Sequence, residues 1–340
     1  MDPNNSLFLE AENICRKVDF RPLDGATILI TGASGLIGTH FLTTLCCLRE
    51  IGLSVKVSAQ IYSELPEHTE KIIQRGGFDV IRMDLSNFSQ YSKLFDADVI
   101  IHLAGYGQPL RFMMNPVATL QINTSATIAL LQHLASGGHF LFTSSSEVYS
   151  GLNNVAFTES VAGTTTPLHP RAAYIEGKRG GETACQVFHS QGIHSFAVRL
   201  GDIFGPGTRK HDKRALNSFV EMALCQNKIE LLDTGKAVRT YCYVEDAVEL
   251  MCKILLYGKE SIYNVGGKTS VTIAELAKEI GQLANVPVIF PDEKNGVSGS
   301  PEQLLLDLTR IDTEFCKKEF ISLHDGLQTT IEWQRGLYLK

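Results

Sequence analysis

A chain of 340 residues with 44% hydrophobic content is long enough for about two ordinary domains and apolar enough to pack a core. Its formal net charge of −6, from 31 basic and 37 acidic residues, gives no overall attraction to nucleic acid or to an anionic membrane surface. No apolar run approaches the roughly 20 residues of a bilayer span, and Asp2 and Glu10 stand where a secretory leader carries positive charge and a long apolar segment, so a cytoplasmic protein is expected.

Residues 1–25 read as an N-terminal helix and connector, with Leu7, Leu9, Ile14 and Val18 as its apolar positions and Pro22, Asp24 and Gly25 ending the pattern. Such an extension can serve as a docking arm. The apolar run Ala26–Ile30 then reads as a buried strand, followed by TGASGLIG, Thr31–Gly38, and by Leu36, Ile37, Phe41, Leu42 and Leu45 at helical spacing. A strand, a glycine turn and a helix in that order make a phosphate site. Gly32 permits a tight turn, Gly35 lets a pyrophosphate approach the backbone, Gly38 lets helix pack on strand, and the helix opening at Leu36 and Ile37 offers unpaired N–H groups.

Strand-like and helix-like segments alternate after this turn. Strands are predicted at 55–61, 78–83 and 98–103, a helix at 119–134, and strands at 139–143 and 195–200. DVIIHL, 98–103, lacks polar alternation, as a strand covered on both faces does. The alternation specifies an α/β fold: a Rossmann-type doubly wound, mostly parallel sheet over 26–200. From Gly201 the texture changes to the loop GPGTRKHDKR, a helix at 215–225, a strand at 241–244, a helix from Ala247 and another capped by Thr272 with Glu275 closing a capping box. These pieces suggest a smaller C-terminal substrate domain over 201–340, with room for some of its strands and helices to cross back to the first domain, and with the cleft beyond the carboxyl ends of the sheet strands. The eight cysteines form no C-x-x-C pair, and patterns such as Ala223-Leu224-Cys225 and Leu250-Met251-Cys252 read as reduced core thiols rather than disulfides or metal ligands.

Two segments carry groups suited to chemistry: TSSSEVYS, 143–150, ending a predicted strand, and PRAAYIEGKRGGET, 170–183, opening a helix. Tyr174 and Lys178 lie four residues apart and so share a helix face. A tyrosine with a pKa near 10 is too weakly acidic to act as a base at neutral pH, and a neighbouring ammonium favours its phenolate. The pair is a plausible base for hydride transfer, with Ser145 able to hold the reacting sugar oxygen. Taken singly, each of these features also occurs as surface chance or turn chemistry.

Taken in order, the glycine turn, Asp84-Leu85, His102-Leu103-Ala104-Gly105, the serine cluster and the Tyr174/Lys178 pair resemble the extended short-chain dehydrogenase/reductase family from about Thr27 to Trp333. The resemblance implies a tightly held nicotinamide dinucleotide, with Asp84 and Leu85 near the adenine, Leu103, Ala104 and Gly105 lining the cofactor, and Tyr174 with Lys178 at the nicotinamide ribose. It also implies a nucleotide-sugar substrate and a homodimer paired through the helix of Tyr174, where Ala172, Ala173, Gly177, Gly180 and Gly181 permit close packing. Ser146-Glu147-Val148-Tyr149 is similar to the UDP-glucuronate decarboxylase version of the motif, as are Asn115-Pro116, Asp212 with Arg214, and Arg239-Thr240 before Tyr243. On that resemblance Glu147 orients the sugar or a water, Ser146 assists protonation, and Arg214 and Arg239 hold phosphate or carboxylate.

Three positions depart from that pattern: Ser150 replaces the glycine after Val-Tyr, Asp202 replaces the asparagine of Arg-x-x-Asn, and Gly207 replaces the arginine that often follows Gly-Pro. Asp202 beside a diphosphate or a glucuronate is unfavourable unless it faces a sugar hydroxyl. The second strand, KVSAQIYSE, ends with no acid placed for ribose hydroxyls apart from nearby Glu64, and no arginine is placed for the extra phosphate of NADP, so NAD is the expected cofactor. A 4-epimerase, a 4,6-dehydratase, a keto-sugar reductase and a noncatalytic dinucleotide-binding scaffold remain as alternatives.

Overall fold

The structure is a computed structural model that describes residues 4–152, 156–291 and 303–339. In chain order it contains α1 (Asn4–Lys17), β1 (Thr27–Thr31), α2 (Leu36–Glu50), β2 (Lys56–Ile61), α3 (Glu67–Gly76), β3 (Asp79–Arg82), β4 (Ala97–His102), α4 (Pro109–Met114), α5 (Pro116–Asn123), α6 (Ser125–Gln132), β5 (Leu134–Ser145), α7 (Ala172–Ser190), β6 (His194–Leu200) and β7 (Asp202–Phe204). There follow α8 (Ala215–Gln226), β8 (Ile229–Glu230), β9 (Val238–Tyr243), α9 (Val244–Tyr257), β10 (Ile262–Val265), β11 (Thr269–Thr272), α10 (Ile273–Ala284), β12 (Val288–Ile289), β13 (Gln303–Leu304), α11 (Thr309–Phe315) and α12 (Leu323–Tyr338).

Seven strands form one parallel sheet in the order β10-β6-β5-β4-β1-β2-β3. The order reverses between β1 and β4, so the cleft at that switch point opens beside the glycine turn. Both faces are covered by helices, and β4 is buried at five of its six positions, which is why its sequence shows no alternation.

Within 201–340 some elements cross back to the large sheet. The helix α9 packs on the large sheet, with Val248, Met251, Cys252 and Leu255 in the main core, and β10 pairs in parallel with β6 at the sheet edge. What remains is β9 with β7, β11 and β13, the small β8–β12 pair, and the helices α8, α10 and α12, closed around Phe219, Tyr241, Leu276, Ile280 and Leu327. The capping box at α10 forms as expected, Thr272 accepting from the Glu275 N–H while Glu275 accepts from the Thr272 N–H.

Four local expectations need correction. The helix predicted over 119–134 is two helices that meet at Thr124, where the side-chain hydroxyl donates to the Leu120 carbonyl at 2.7 Å and the methyl faces Gly180. The strand expected at 139–143 begins at Leu134 and runs to Ser145. Leu9 points to solvent although Leu7, Ile14 and Val18 are buried, because acidic Glu10 takes the inward position beside it. Cys225 and Cys316 are exposed, while Cys46, Cys47, Cys185, Cys242 and Cys252 are buried and every cysteine is a free thiol.

The N-terminal helix is held across α2 and α9 by polar contacts as well as apolar ones. Lys17 reaches Glu245 at 2.9 Å, and Glu10 accepts a hydrogen bond from the Tyr243 hydroxyl. His40 Nε2 bonds the Pro206 carbonyl at 2.9 Å, leaving Nδ1 3.5 Å from the second oxygen of Glu10. Burial pushes Glu10 up to about 8 and His40 down to about 4, so this contact joins a protonated carboxyl to a neutral imidazole at neutral pH.

Candidate active site

The glycine turn has the geometry its sequence requires. Gly32 has φ +64°, and a Cβ there would stand 2.7 Å from the Ala104 backbone; a Cβ on Gly38 would stand 2.7 Å from Ala33. Gly35 caps α2, and a Cβ on it would meet only the Gly32 carbonyl at 3.4 Å, so its outer face is open where the first helical N–H groups of Leu36 and Ile37 point. Across the switch point the Leu103 N–H donates to the Thr31 carbonyl at 3.2 Å, and the Ala104 N–H to the Thr31 hydroxyl at 3.2 Å. His102, neutral because burial pushes it down to about 3, pins Thr31 at 2.7 Å. Asp84 folds its own turn by accepting from Ser86, and Leu85 is buried beneath it.

A dinucleotide fits these residues. The face of Gly105 is bare, with a Cβ there lying 3.7 Å from Lys178 Nζ and 3.8 Å from Asn123 Oδ1, and that oxygen is buried without a hydrogen-bond partner. Asn123 is a site residue that sequence reasoning missed, since a lone asparagine ending a helix carries no signal of its own.

A side chain from the smaller unit closes on this end of the cleft. Arg209, from the loop after β7, donates from Nε to the Ser34 carbonyl at 3.1 Å, from Nη2 to the Ser34 hydroxyl at 2.5 Å and from Nη1 to the Ser63 hydroxyl at 2.9 Å. An arginine therefore does reach the end of β2. Its approach depends on Gly207, whose φ of +90° turns the loop down onto Leu7, Leu36 and Thr39.

At the carboxyl end of β5, Ser145 caps a single turn over Ser146–Tyr149 by accepting from the Glu147 N–H at 3.2 Å. Its hydroxyl lies close enough to Tyr174 on α7 to favour that phenolate. Lys178, one helical turn on, donates to the Thr143 carbonyl at 2.7 Å, and its Nζ lies 5.7 Å from the centre of the Tyr174 ring. The glycines of α7 set this distance. Gly181 lies on Phe142, Gly180 on Thr124 and Gly177 on Asn123, so these small residues bring α7 against its own sheet and α5 rather than standing free for a second copy.

The electrostatics run opposite to the expected lowering of the tyrosine. Burial, reinforced by the Glu147 charge, pushes Tyr174 up to about 12, whereas burial pushes Lys178 down to about 7. The lysine faces a strand carbonyl instead of the phenol, so it does little for the phenolate in the protein alone. Behind the pair, Arg199 and Glu182 form a buried ion pair at 2.8 Å; Glu182 also accepts from Ser144 at 2.5 Å, and Arg199 donates to the Tyr149 hydroxyl at 2.8 Å. This network fixes the strand end that carries Ser145.

On the substrate side each arginine faces a carboxylate. Arg171 meets Glu147 at 2.7 Å, with the Arg171 side chain 10% and that of Glu147 15% exposed. Arg214 forks onto Asp212, Nε at 3.0 Å and Nη2 at 2.8 Å. Arg239 Nε lies 4.0 Å from Asp202. Asp202 is thus set against an arginine, which relieves the conflict its acid poses for an anionic ligand. Arg214 and Arg239, expected to hold an anion outright, are already engaged. Arg171 was not anticipated: it borders the tyrosine motif, and its pairing with Glu147, far away in sequence, appears only in the fold. Phe112 stacks on Tyr174 at 4.3 Å and lies beneath the Arg171 guanidinium at 5.2 Å, which keeps Arg171 close enough to lower the pKa of the base. Burial pushes Glu147 up and Arg171 pulls it back, placing both charges within reach of Tyr174.

A doubly wound parallel sheet with a glycine turn on its first strand and a Ser-Tyr-Lys set at the carboxyl ends defines a dinucleotide-dependent enzyme. The chain belongs to the NAD dependent epimerase/dehydratase family, whose model matches residues 28–266. It is 30% identical over 304 residues to UDP-glucuronic acid decarboxylase 6 of Arabidopsis thaliana, covering 88% of this chain and 86% of that protein. It is 29% identical over 317 residues to UDP-glucuronic acid decarboxylase 1 of Xenopus tropicalis, covering 92% and 73%. The fold is shared with the UDP-glucose 4-epimerase of Thermotoga maritima, TM-score 0.79 at 21% identity over 92% of this chain and 100% of that one. It is shared also with a dTDP-glucose 4,6-dehydratase of Streptomyces venezuelae, TM-score 0.77 at 22% identity over 92% and 98%. Among the described residues no helix is long and apolar enough to cross a membrane.

Proposed function

We propose that this enzyme oxidises carbon 4 of a nucleotide sugar, UDP-glucuronate above others, lets the 4-keto group carry the charge released as the carboxylate leaves, and then restores the alcohol. The observation that carries this reading is Glu147 held by Arg171 near the Ser145–Tyr174 pair: an acid and a cation within electrostatic reach of the base, where a uronate carboxylate and a water need partners. Bound NAD, held by Gly32, Gly35, Leu36, Ile37, Gly38, Asp84, Leu85, Leu103, Ala104 and Gly105, supplies a hydride acceptor and a positive charge.

Tyr174 takes the carbon 4 hydroxyl proton while Ser145 holds that oxygen. Lys178 borders the same gap and favours the phenolate once charge there is rebalanced. Arg171 exchanges Glu147 for the sugar carboxylate, and the freed Glu147, with Ser146, orients the water that returns a proton to carbon 5. Arg214, Arg239 and Asp202 border the sugar and diphosphate as hydrogen-bonding partners.

The enzyme is further proposed to work as a cytoplasmic homodimer. The exposed Met114, Val117, Leu120, Ile128 and Val187 along α4 to α7 support that assembly.

Incubation with UDP-glucuronate and NAD, following carbon dioxide, reduced cofactor and product mass together, tests the reading. Carbon dioxide with a pentose nucleotide and no net NADH is the expected result. Bound cofactor without turnover would move the substrate to another nucleotide sugar.

A further inference from the structure

The loop 205–214, leading from β7 to α8, is seated against the mouth of the glycine turn from both of its ends. At its start the Pro206 carbonyl meets His40 Nε2 on α2 at 2.9 Å, and Gly207, with φ +90°, runs so close to α2 and α1 that a Cβ there would stand 3.5–3.6 Å from Leu36, Leu7 and Thr39. At its far end the His211 N–H donates to the Tyr338 hydroxyl of α12 at 2.8 Å. His211 has φ +60°, a left-handed backbone that a residue with a Cβ rarely adopts, so the loop keeps a shape that its contacts must hold.

Arg209 is the part of this loop that crosses the groove. Its Nε and Nη2 grip Ser34, inside the turn that cradles a pyrophosphate, while its Nη1 grips Ser63 just beyond β2, at 3.1, 2.5 and 2.9 Å. A Rossmann fold lays the adenosine half of its dinucleotide between those two points, from the helix N-terminus to the end of the second strand. One side chain of the smaller unit therefore spans the edge of the groove. All three acceptors are neutral oxygens, so the guanidinium can let go of them without leaving a buried carboxylate uncompensated.

We propose that Arg209 and the loop 205–214 form an exchange gate for the dinucleotide: NAD enters and leaves only while the bonds from Arg209 to Ser34 and Ser63 are broken and the loop is lifted. The bonds join groups of the protein itself, so the gate stands across the groove for entry as well as for exit. An enzyme that must return a hydride to the sugar it came from gains from a cofactor that outlasts each turnover. The inference rests on the dinucleotide fold and not on which sugar is transformed, so either reading can fail and leave the other standing.

The test follows NADH fluorescence in the full chain, by rapid mixing for binding and by chase with excess NAD for release. Arg209→Ala is expected to speed both rates about tenfold or more, the worth of hydrogen bonds from a charged donor, and to leave Kd within about threefold, which also reports a folded variant. Arg209→Lys should fall between. Ser63→Ala, at an exposed position, should speed both rates less and add nothing on the Arg209→Ala background, since the bond it removes is already gone. Unchanged rates in both single variants overturn the proposal. So does faster release alone with Kd raised in proportion, which makes Arg209 a direct contact of the dinucleotide, and so does faster binding alone with Kd lowered, which makes it an occupant of the site.

Discussion

Around the glycine turn the binding surface is mostly backbone: Gly32 pressed on Ala104, Gly38 on Ala33, and helical N–H groups aimed outward. Across the cleft the surface is side chain, and the arginines there are each set against an acid, Arg171 with Glu147, Arg214 with Asp212 and Arg239 with Asp202. The first half is rigid because a Cβ added at Gly32 or Gly38 collides with backbone at 2.7 Å. The second is adjustable, because an incoming anion can trade places with a carboxylate at modest cost in a partly hydrated site. Such a division suits an enzyme that keeps its cofactor and exchanges its substrate.

The largest effect should come where the halves meet. Tyr174→Phe is expected to lower kcat by about 10²–10⁴ while NAD titration stays near wild type, since only the proton acceptor is lost. Unchanged turnover would remove Tyr174 from the chemistry. Next, Glu147 and Arg171 push Tyr174 in opposite directions, so their variants should separate in pH profile: Glu147→Gln moves the acidic, rising limb of kcat to lower pH, and Arg171→Ala moves it to higher pH. Shifts of the same sign would mean that the pair acts on folding rather than on the tyrosine.

On the backbone side, Gly38→Ala should cost about 1–3 kcal/mol in urea unfolding, because the new methyl meets Ala33 at 2.7 Å, and should weaken NAD as α2 moves. A neutral result would show that the turn is softer than its contacts. The last prediction concerns the N-terminal helix. Glu10 is raised from 4.5 to about 8 in the folded protein, so between those values the native state keeps a proton that the unfolded chain releases. Stability therefore falls as pH rises through that window, and Glu10→Gln should flatten the corresponding slope of Tm against pH.

The same contrast governs what could be read from the amino-acid order. The strand, turn and helix around Gly32, Gly35 and Gly38 are local, and their pattern states their geometry. Tyr174 and Lys178 share a face because helical spacing is local too. Arg171 meeting Glu147, Arg239 meeting Asp202, and Arg209 crossing to Ser34 and Ser63 are contacts between distant segments that no spacing reports. The break at Thr124 was hidden for a related reason: α5 and α6 are each good helices, and what divides them is the fit over Gly180 on another helix. The return of α9 and β10 to the large sheet is likewise a matter of topology: a boundary at residue 200 leaves room for elements to cross back without saying which ones do.

The most direct test of the account is to supply UDP-glucuronate deuterated at carbon 4, with unlabelled NAD in excess, and locate the label after turnover. Hydride taken and returned within one retained site predicts a pentose nucleotide with deuterium still at carbon 4 and none in the free cofactor. Deuterium accumulating in free NADH, or a decarboxylated product that has lost it, would contradict a self-contained cycle at Tyr174.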